Sequence, residues 1–326
     1  MIATYLPFWL FVGVVAGIYI IMSLGLYLQF ALTGLPNFGH SAFMSLAAYS
    51  MAIAVIRFGV SLPVASVIGL MMAAAFGLLL GIPVLRLSGD YLAIVTIAAS
   101  EIIRYLAINM QDLTGGSIGS LGMGGADDLS AYSMEWDQLL VQISTTLSLE
   151  GKFGSDRDLI MLLIVWALAL LCLCAFWFMT RSPWGRVLRA IREDEVAVFA
   201  VGKNVVGYKL QVLVIGAILG GLGGLLLAFQ IGVFSPDDFL PTLTFNCYLI
   251  LILGGTNRIW TIPFGSILFS LIYSGTRFLN FYPISLIDSG DRAYLRLFIV
   301  GFLLIVINAL RPQGLMGNRR ELMIDS

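Results

Sequence analysis

Charge is what this chain has least of. With 18 Lys and Arg and 19 Asp and Glu among 326 residues, 11% of the sequence is charged, against roughly 25% in soluble domains. A water-soluble monomer is excluded. Histidine is limited to His40, and the three cysteines, Cys172, Cys174 and Cys247, all sit inside apolar runs. There is accordingly no Cys/His cluster for a metal and no disulfide framework. The three lysines leave no phosphate-binding loop: of the two Gly-Lys pairs, Gly151-Lys152 has Thr146 where the first loop glycine belongs and Phe153 where Ser or Thr must follow, and Gly202-Lys203 has Ala197 and Asn204 at those places. A net charge of −1 gives no basic surface for nucleic acid. No set of side chains suggests an enzyme, and no bound cofactor is expected.

What is present is hydrophobicity. Apolar residues make up 59% of the chain, in stretches long enough to cross a hydrocarbon core of about 30 Å. They are apolar all round, not alternating as in a transmembrane barrel. The fold class is therefore all-α, a polytopic transmembrane helical bundle. Spans are expected at residues 8–30, 41–56, 61–85, 91–108, 159–180, 210–233, 239–255, 259–278 and 293–310. Short or interrupted stretches and a possible re-entrant turn at 34–39 set the range at 8–10 spans. The start of the chain lacks a basic leader region and reads as a retained first span.

Cytoplasmic loops carry the excess of Lys and Arg. The loop at 181–209 holds Arg181, Arg186, Arg189, Arg192, Lys203 and Lys209, and the tail at 311–326 holds Arg311, Arg319 and Arg320. Both are expected inside the cell. The stretch 109–157 is acidic, with Asp112, Asp127, Asp128, Glu135, Asp137, Glu150 and Asp156 against Lys152 and Arg157. It is expected outside, where its charge and length suit docking of a protein partner. Its glycines (Gly115, Gly116, Gly119, Gly122, Gly124, Gly125) read as a flexible turn, with a ligand loop as the less favoured reading. The whole chain, 1–326, is taken as a single membrane domain. Pro36-Asn37-Phe38-Gly39 with Phe43, and Pro263-Phe264-Gly265 with Phe269, hint at an inverted repeat of the kind seen in transporters. Three shared positions leave repeat and coincidence equally open.

The loop at 181–209 is the most informative polar segment. Ser182 suits an N-cap, Pro183 the first helical position, and Gly202 a left-handed stop, so one helix is expected from Pro183 to about Val201. Trp184, Val187, Leu188 and Ile191 form an apolar stripe. A lipid-surface helix and a protein-docking helix both fit that periodicity. The acidic cluster Glu193-Asp194-Glu195 favours the protein, because anionic headgroups repel carboxylates.

This segment, Gly185-Arg186-x-Leu188-Arg189-Ala190-Ile191-Arg192-Glu193-Asp194-Glu195-x-Ala197 with Gly202 beyond it, resembles the LivM-type permeases of branched-chain amino acid ABC importers. The resemblance extends from Gly34 to Leu315 through Asn37-Phe38-Gly39-His40-Ser41-Ala42-Phe43, Gly89-Asp90-Tyr91-Leu92-Ala93-Ile94-Val95-Thr96, Leu113-Thr114-Gly115-Gly116, Ser235-Pro236, Leu253-Gly254-Gly255 and Leu310-Arg311-Pro312-x-Gly314-Leu315. It implies an ABC importer permease fold in a bacterial inner membrane, with the C-terminus cytoplasmic. The implied partners are a second homologous permease, two cytoplasmic ATPases that use ATP and Mg, an external solute-binding protein and membrane lipid. ATPase coupling then falls to Arg186, Arg189, Arg192, Glu193, Asp194, Glu195, Ala197 and Gly202. The glycine turn departs from the family in its Thr256-Asn257-Arg258-Ile259-Trp260 continuation, and 126–157 is longer and more acidic than is usual. Urea and short-chain amide importers use similar permeases and stay open as alternatives, as does an ion-coupled secondary transporter.

Polar residues inside the spans are the candidates for a passage: Asn37, Ser41, Thr96, Glu101, Thr242, Thr244 and Asn246. For the uncharged ones the plain alternative is hydrogen bonding between helices, and for Glu101 it is an i, i+3 pair with Arg104. Hydroxyls and amides among apolar groups suit a small solute without net charge. The glycines from Gly216 to Gly224 are expected to serve close helix packing.

Overall fold

The computed structural model describes residues 2–87, 89–123, 131–146, 156–256 and 258–278 and the single positions 298, 301, 302 and 306. Helices α1 (Ile2–Leu26), α2 (His40–Phe58), α3 (Leu62–Val84) and α4 (Gly89–Asn109) come first. The short α5 (Gln111–Thr114) and α6 (Ser120–Met123) follow, then α7 (Ala131–Thr146) and α8 (Asp156–Arg181). A polar pair, α9 (Pro183–Glu193) and α10 (Glu195–Ala200), precedes α11 (Val205–Ile231), α12 (Thr242–Gly254) and α13 (Thr261–Phe278).

Among the described residues six segments are long and apolar enough to cross a membrane: Leu6–Leu32, His40–Phe58, Leu62–Val84, Gly89–Asn109, Arg157–Arg181 and Val205–Ile231. They match the expected spans 1 to 6 to within a few residues. Expected spans 7 and 8 are helices α12 and α13, and α12 is short at 13 residues. The ninth, 293–310, and the tail at 311–326 lie outside the described residues, apart from helical Phe298, Gly301, Phe302 and Val306. The protein is an all-α, multi-pass bundle.

The spans divide into centre and rim. No Asp, Glu, Lys or Arg precedes Arg57, and α1 and α2 are correspondingly buried over 78% and 67% of their span windows, with α11 at 72%. Helices α3, α4 and α8 are buried over only 33%, 22% and 39%, and they turn Met71, Leu79, Ile94, Ile102, Leu171 and Phe178 outward. An exposed apolar rim is what lipid contact demands. At the centre, Gly216, Gly220 and Gly224 form a stripe on α11. A Cβ on Gly216 would lie 2.1 Å from Gln29, one on Gly220 2.8 Å from His40, and one on Gly224 2.4 Å from the Met44 carbonyl. Without side chains there, α11 seats directly on α1 and α2.

The two ends of the bundle differ. At one end Arg57 donates to the Asp112 carbonyl, the Leu62 N–H to Glu135, and Arg157 pairs with Asp137. The acidic stretch is thus not an open loop where it is described: α7 packs on the bundle, with Tyr132 fully buried and donating to the Gly232 carbonyl. Burial pushes the Tyr132 phenol up to about 12, so it stays a neutral donor. The glycine run is likewise a packed corner in its described part, a correction to the flexible-turn expectation. Gly115, Gly116 and Gly119 adopt φ of 74°, 63° and 70°, and a Cβ on Gly119 would lie 2.1 Å from the Phe234 carbonyl. Gly124 and Gly125 fall outside the described residues. The opposite end gathers Arg181, Arg189 and Arg258 around one cavity, and Arg192 reaches the Ala31 carbonyl.

The repeat hint finds no support in local structure. Pro36–Gly39 lies in a non-helical connection, whereas Pro263 and Gly265 lie within α13.

Candidate functional site

Two places hold the polar residues singled out in the sequence. The first is the break between α1 and α2. Helix α1 ends in a π-helical turn, Tyr27–Leu32. Gly34 takes φ of 73°, and the chain runs through Leu35 to Gly39 without helical bonding before α2 begins. Irregular backbone at such depth must find its hydrogen bonds inside the protein. Asn37, fully buried, donates to the Gln29 Oε1 at 2.9 Å and accepts the Gly39 N–H at 2.9 Å. Thr96 of α4 accepts the Phe38 N–H at 3.1 Å, and Thr244 of α12 accepts the Ser41 N–H at 2.9 Å. The Tyr248 hydroxyl donates to the Asn37 carbonyl at 3.1 Å. Gly39 itself has no capping side chain. The first turn of α2 is therefore capped from other helices, which satisfies amides that an N-terminus leaves orphaned. Gly39 must be glycine, since a Cβ would sit 2.2 Å from the Thr96 carbonyl.

Four passage candidates, Asn37, Ser41, Thr96 and Thr244, are thus brought together as one buried polar knot. The other three lie apart from it. Thr242 is exposed at the start of α12, and Asn246 donates to the Tyr19 hydroxyl at 3.3 Å. Glu101 sits further along α4, accepting from Arg104 at 2.8 and 3.0 Å. Arg104 has a second acid that sequence spacing did not reveal, Asp237, at 3.0 Å. That bond ties α4 to the 3-10 turn Pro236–Phe239, which carries its own capping box between Ser235 and Asp238.

The second place is the segment from Ser182 to Gly202. Ser182 caps α9 by accepting the Gly185 N–H, and Pro183 opens the helix. The expected single helix is broken at Asp194, whose φ of −152° and ψ of 102° are extended. Its carboxylate caps a new helix by accepting the Val196 and Ala197 N–H groups at 2.9 and 3.0 Å. An acid placed to cap two amides at once outcompetes helix continuation. Gly202, with φ of 78°, follows the end of α10 as expected.

The apolar stripe of α9 is also not a free surface. Leu188 is 0% and Ile191 3% exposed within the chain's own core, and Trp184 donates to Gln211 at 2.9 Å. The free apolar surface is on and after α10, where Val196, Phe199 and Val201 are each more than 70% exposed. All eight coupling candidates are exposed. Several are nonetheless engaged locally: Arg189 with the Thr180 carbonyl at 2.8 Å, Arg192 with Ala31, Asp194 as the cap, and Glu195 with Lys209. Arg186 and Glu193 make no side-chain bond among the described residues. No group of acids, histidines or cysteines among the described residues could hold a metal ion.

Comparison with known proteins accords with this architecture. The family described as "Branched-chain amino acid transport system / permease component" matches residues 9–308. The chain is 32% identical over 304 residues to the high-affinity branched-chain amino acid transport system permease protein LivM of Escherichia coli K12, covering 92% of this chain and 68% of the relative. The LivM protein of Salmonella typhimurium LT2 is 31% identical over 308 residues, with the same coverage. A probable LivM permease of Methanocaldococcus jannaschii is 23% identical over 337 residues, covering 92% and 90% of the two chains. No solved structure matches. A match across nearly the whole helical bundle, polar knot and broken coupling segment included, makes this chain a member of the branched-chain amino acid transport permease family.

Proposed function

We propose that this chain is the membrane passage of an ATP-driven importer for a small neutral amino acid, branched-chain or similar. It pairs with a second homologous permease and receives solute from an external binding protein. Two cytoplasmic ATPases engage the segment from Arg186 to Gly202. The observation that carries the reading is the free apolar face of α10. Val196 and Phe199 stand 77% and 72% exposed, in the same segment as Arg186 and Glu193, whose side chains are exposed and make no bond among the described residues, on the basic end of the bundle. The positive-inside bias favours the cytoplasm for that end, and the same bias, carried by Arg311, Arg319 and Arg320, supports a cytoplasmic C-terminus. Exposed apolar groups flanked by charges of both signs suit a protein groove better than water.

The polar knot frames the passage, holding α1, α2, α4 and α12 in register. Glu101, Thr242 and Asn246, the less buried candidates, line its wall. Uncharged hydroxyls and amides then select a solute without net charge, and the carboxylate of Glu101 is engaged by Arg104, which it shares with Asp237. A ligand shifts the equilibrium between outward and inward states only through differential affinity, so the bias must arrive from the ATPases through α9 and α10.

The test is uptake in a strain deleted for this chain and complemented with it, using labelled leucine, alanine, urea, acetamide, lysine and glutamate. The expected result is saturable uptake of a neutral amino acid that stops when the co-purifying ATPase is inactivated. Uptake confined to lysine or glutamate, or uptake that survives ATPase loss and collapses with an ionophore, overturns the reading. A preference for urea or acetamide overturns the solute alone.

A further inference from the structure

We propose a binding site for the phosphate of an anionic phospholipid at the basic end of the bundle, between the end of α8 and the start of α13. A cavity of about 360 Å³ opens there, lined among others by Arg181, Arg189, Arg258, Trp177, Trp260 and Tyr27. Among the described residues it holds three guanidinium groups and no carboxylate. Such a set repels cations and gives an anion charge-assisted hydrogen bonds from planar donors that match phosphate oxygens. The groups are partly fixed in advance. The Arg181 guanidinium lies 4.0 Å from the centre of the Trp177 ring. Arg189 is held by its Nη2 on the Thr180 carbonyl at 2.8 Å.

Depth and flanks identify the phosphate as a lipid's. Arg181 is the last residue of the α8 span and Arg258 stands three residues before α13, so the cavity lies where the apolar spans end. Tryptophans at that level form the interfacial belt of membrane proteins. Two exposed apolar stripes run from the mouth into the membrane: Phe178 and Leu171 on α8, 67% and 65% exposed, and Phe264 and Ile267 on α13, 41% and 38% exposed. Each provides a track for an acyl chain. A free phosphate would use the arginines and gain nothing from the stripes. Basic pockets between helices on the cytoplasmic side are suited to anionic headgroups. The site is independent of which solute the chain carries.

The test uses the full chain, purified in neutral detergent with its native partners. Native mass spectrometry would count retained phosphatidylglycerol against phosphatidylcholine for the wild type, an Arg181→Gln/Arg258→Gln double variant, an Arg181→Lys/Arg258→Lys variant, and Arg57→Gln as a charge control at the opposite end of the bundle. The expected result is selective retention of phosphatidylglycerol, weakened roughly thirtyfold by the Gln pair, less by the Lys pair and not by Arg57→Gln. On the unaltered chain, photoactivatable phosphatidylglycerol should label peptides containing Trp177 or Trp260, so the result stands even if a variant fails to fold. Equal retention of both lipids, or labelling confined to other peptides, overturns the proposal. Displacement of the lipid by millimolar inorganic phosphate would assign the site to free phosphate instead and overturn the lipid reading.

Discussion

Helices α9 and α10 adjoin in sequence, share a basic and acidic neighbourhood, and do opposite things with their apolar residues. Helix α9 turns Leu188 and Ile191 into the core, at 0% and 3% exposure, while α10 turns Val196 and Phe199 out, at 77% and 72%. The hinge between them is Asp194, which ends one helix and caps the next. One half of the segment is thus an anchor that belongs to the membrane domain, and the other is an apolar surface left exposed by the described residues. A device that transmits motion needs both, since a free surface on an unanchored helix would move without moving the bundle.

The largest expected effect would break this comparison outright. Leu188→Asp places a carboxylate in the core and should destabilise the chain by more than about 3 kcal/mol, read as loss of folded protein in membranes. Phe199→Asp should leave folding and thermal stability unchanged while abolishing co-purification of the ATPase. If Leu188→Asp folds normally, or Phe199→Asp keeps the full complex, the division between anchor and surface is wrong.

A smaller effect sharpens the anchor. Arg192 donates to the Ala31 carbonyl across 161 residues, at the end of the π-helical turn. Arg192→Gln should cost about 1 to 3 kcal/mol and, more tellingly, should uncouple transport from ATP hydrolysis, measured as turnover without uptake in proteoliposomes. The smallest concerns the surface. Glu195 pairs with Lys209 at side-chain exposures of 51% and 13%, so Glu195→Gln should change stability by less than about 1 kcal/mol. A change that vanishes at high salt would confirm a screened surface pair.

Much of this was legible beforehand. The first six spans, the caps at Ser182 and Pro183, the stop at Gly202 and the Glu101–Arg104 pair all rest on interactions within a few residues, which pattern and spacing report directly. The break at Asp194 was legible only in part. The apolar stripe ends at Ile191, and an acid follows where a cap can form, yet the Arg-Glu-Asp-Glu run has helical composition and local propensity is a weak guide there. The direction of the stripe was not legible, because periodicity marks a face without naming what covers it. Asp237 as the third member of the Arg104 cluster, and Thr244 as the cap for Ser41, were hidden for a different reason. Their partners are 133 and 203 residues away, and no single-sequence spacing links them.

The cap that Thr244 supplies has a consequence in time. Ser41 enters the membrane 203 residues before its acceptor is made. At ribosomal speeds of about 5 to 20 residues per second that gap lasts roughly 10 to 40 s. During it, the first turn of α2 has an amide with no protein acceptor at a depth where none can be left bare. Nascent α1 and α2 must therefore wait beside water, lipid headgroups or the insertion machinery, and the centre of the protein can close only after its eleventh and twelfth helices arrive. Truncations ending before α12 should remain accessible to hydrogen exchange at the Ser41 amide, however well their earlier helices insert.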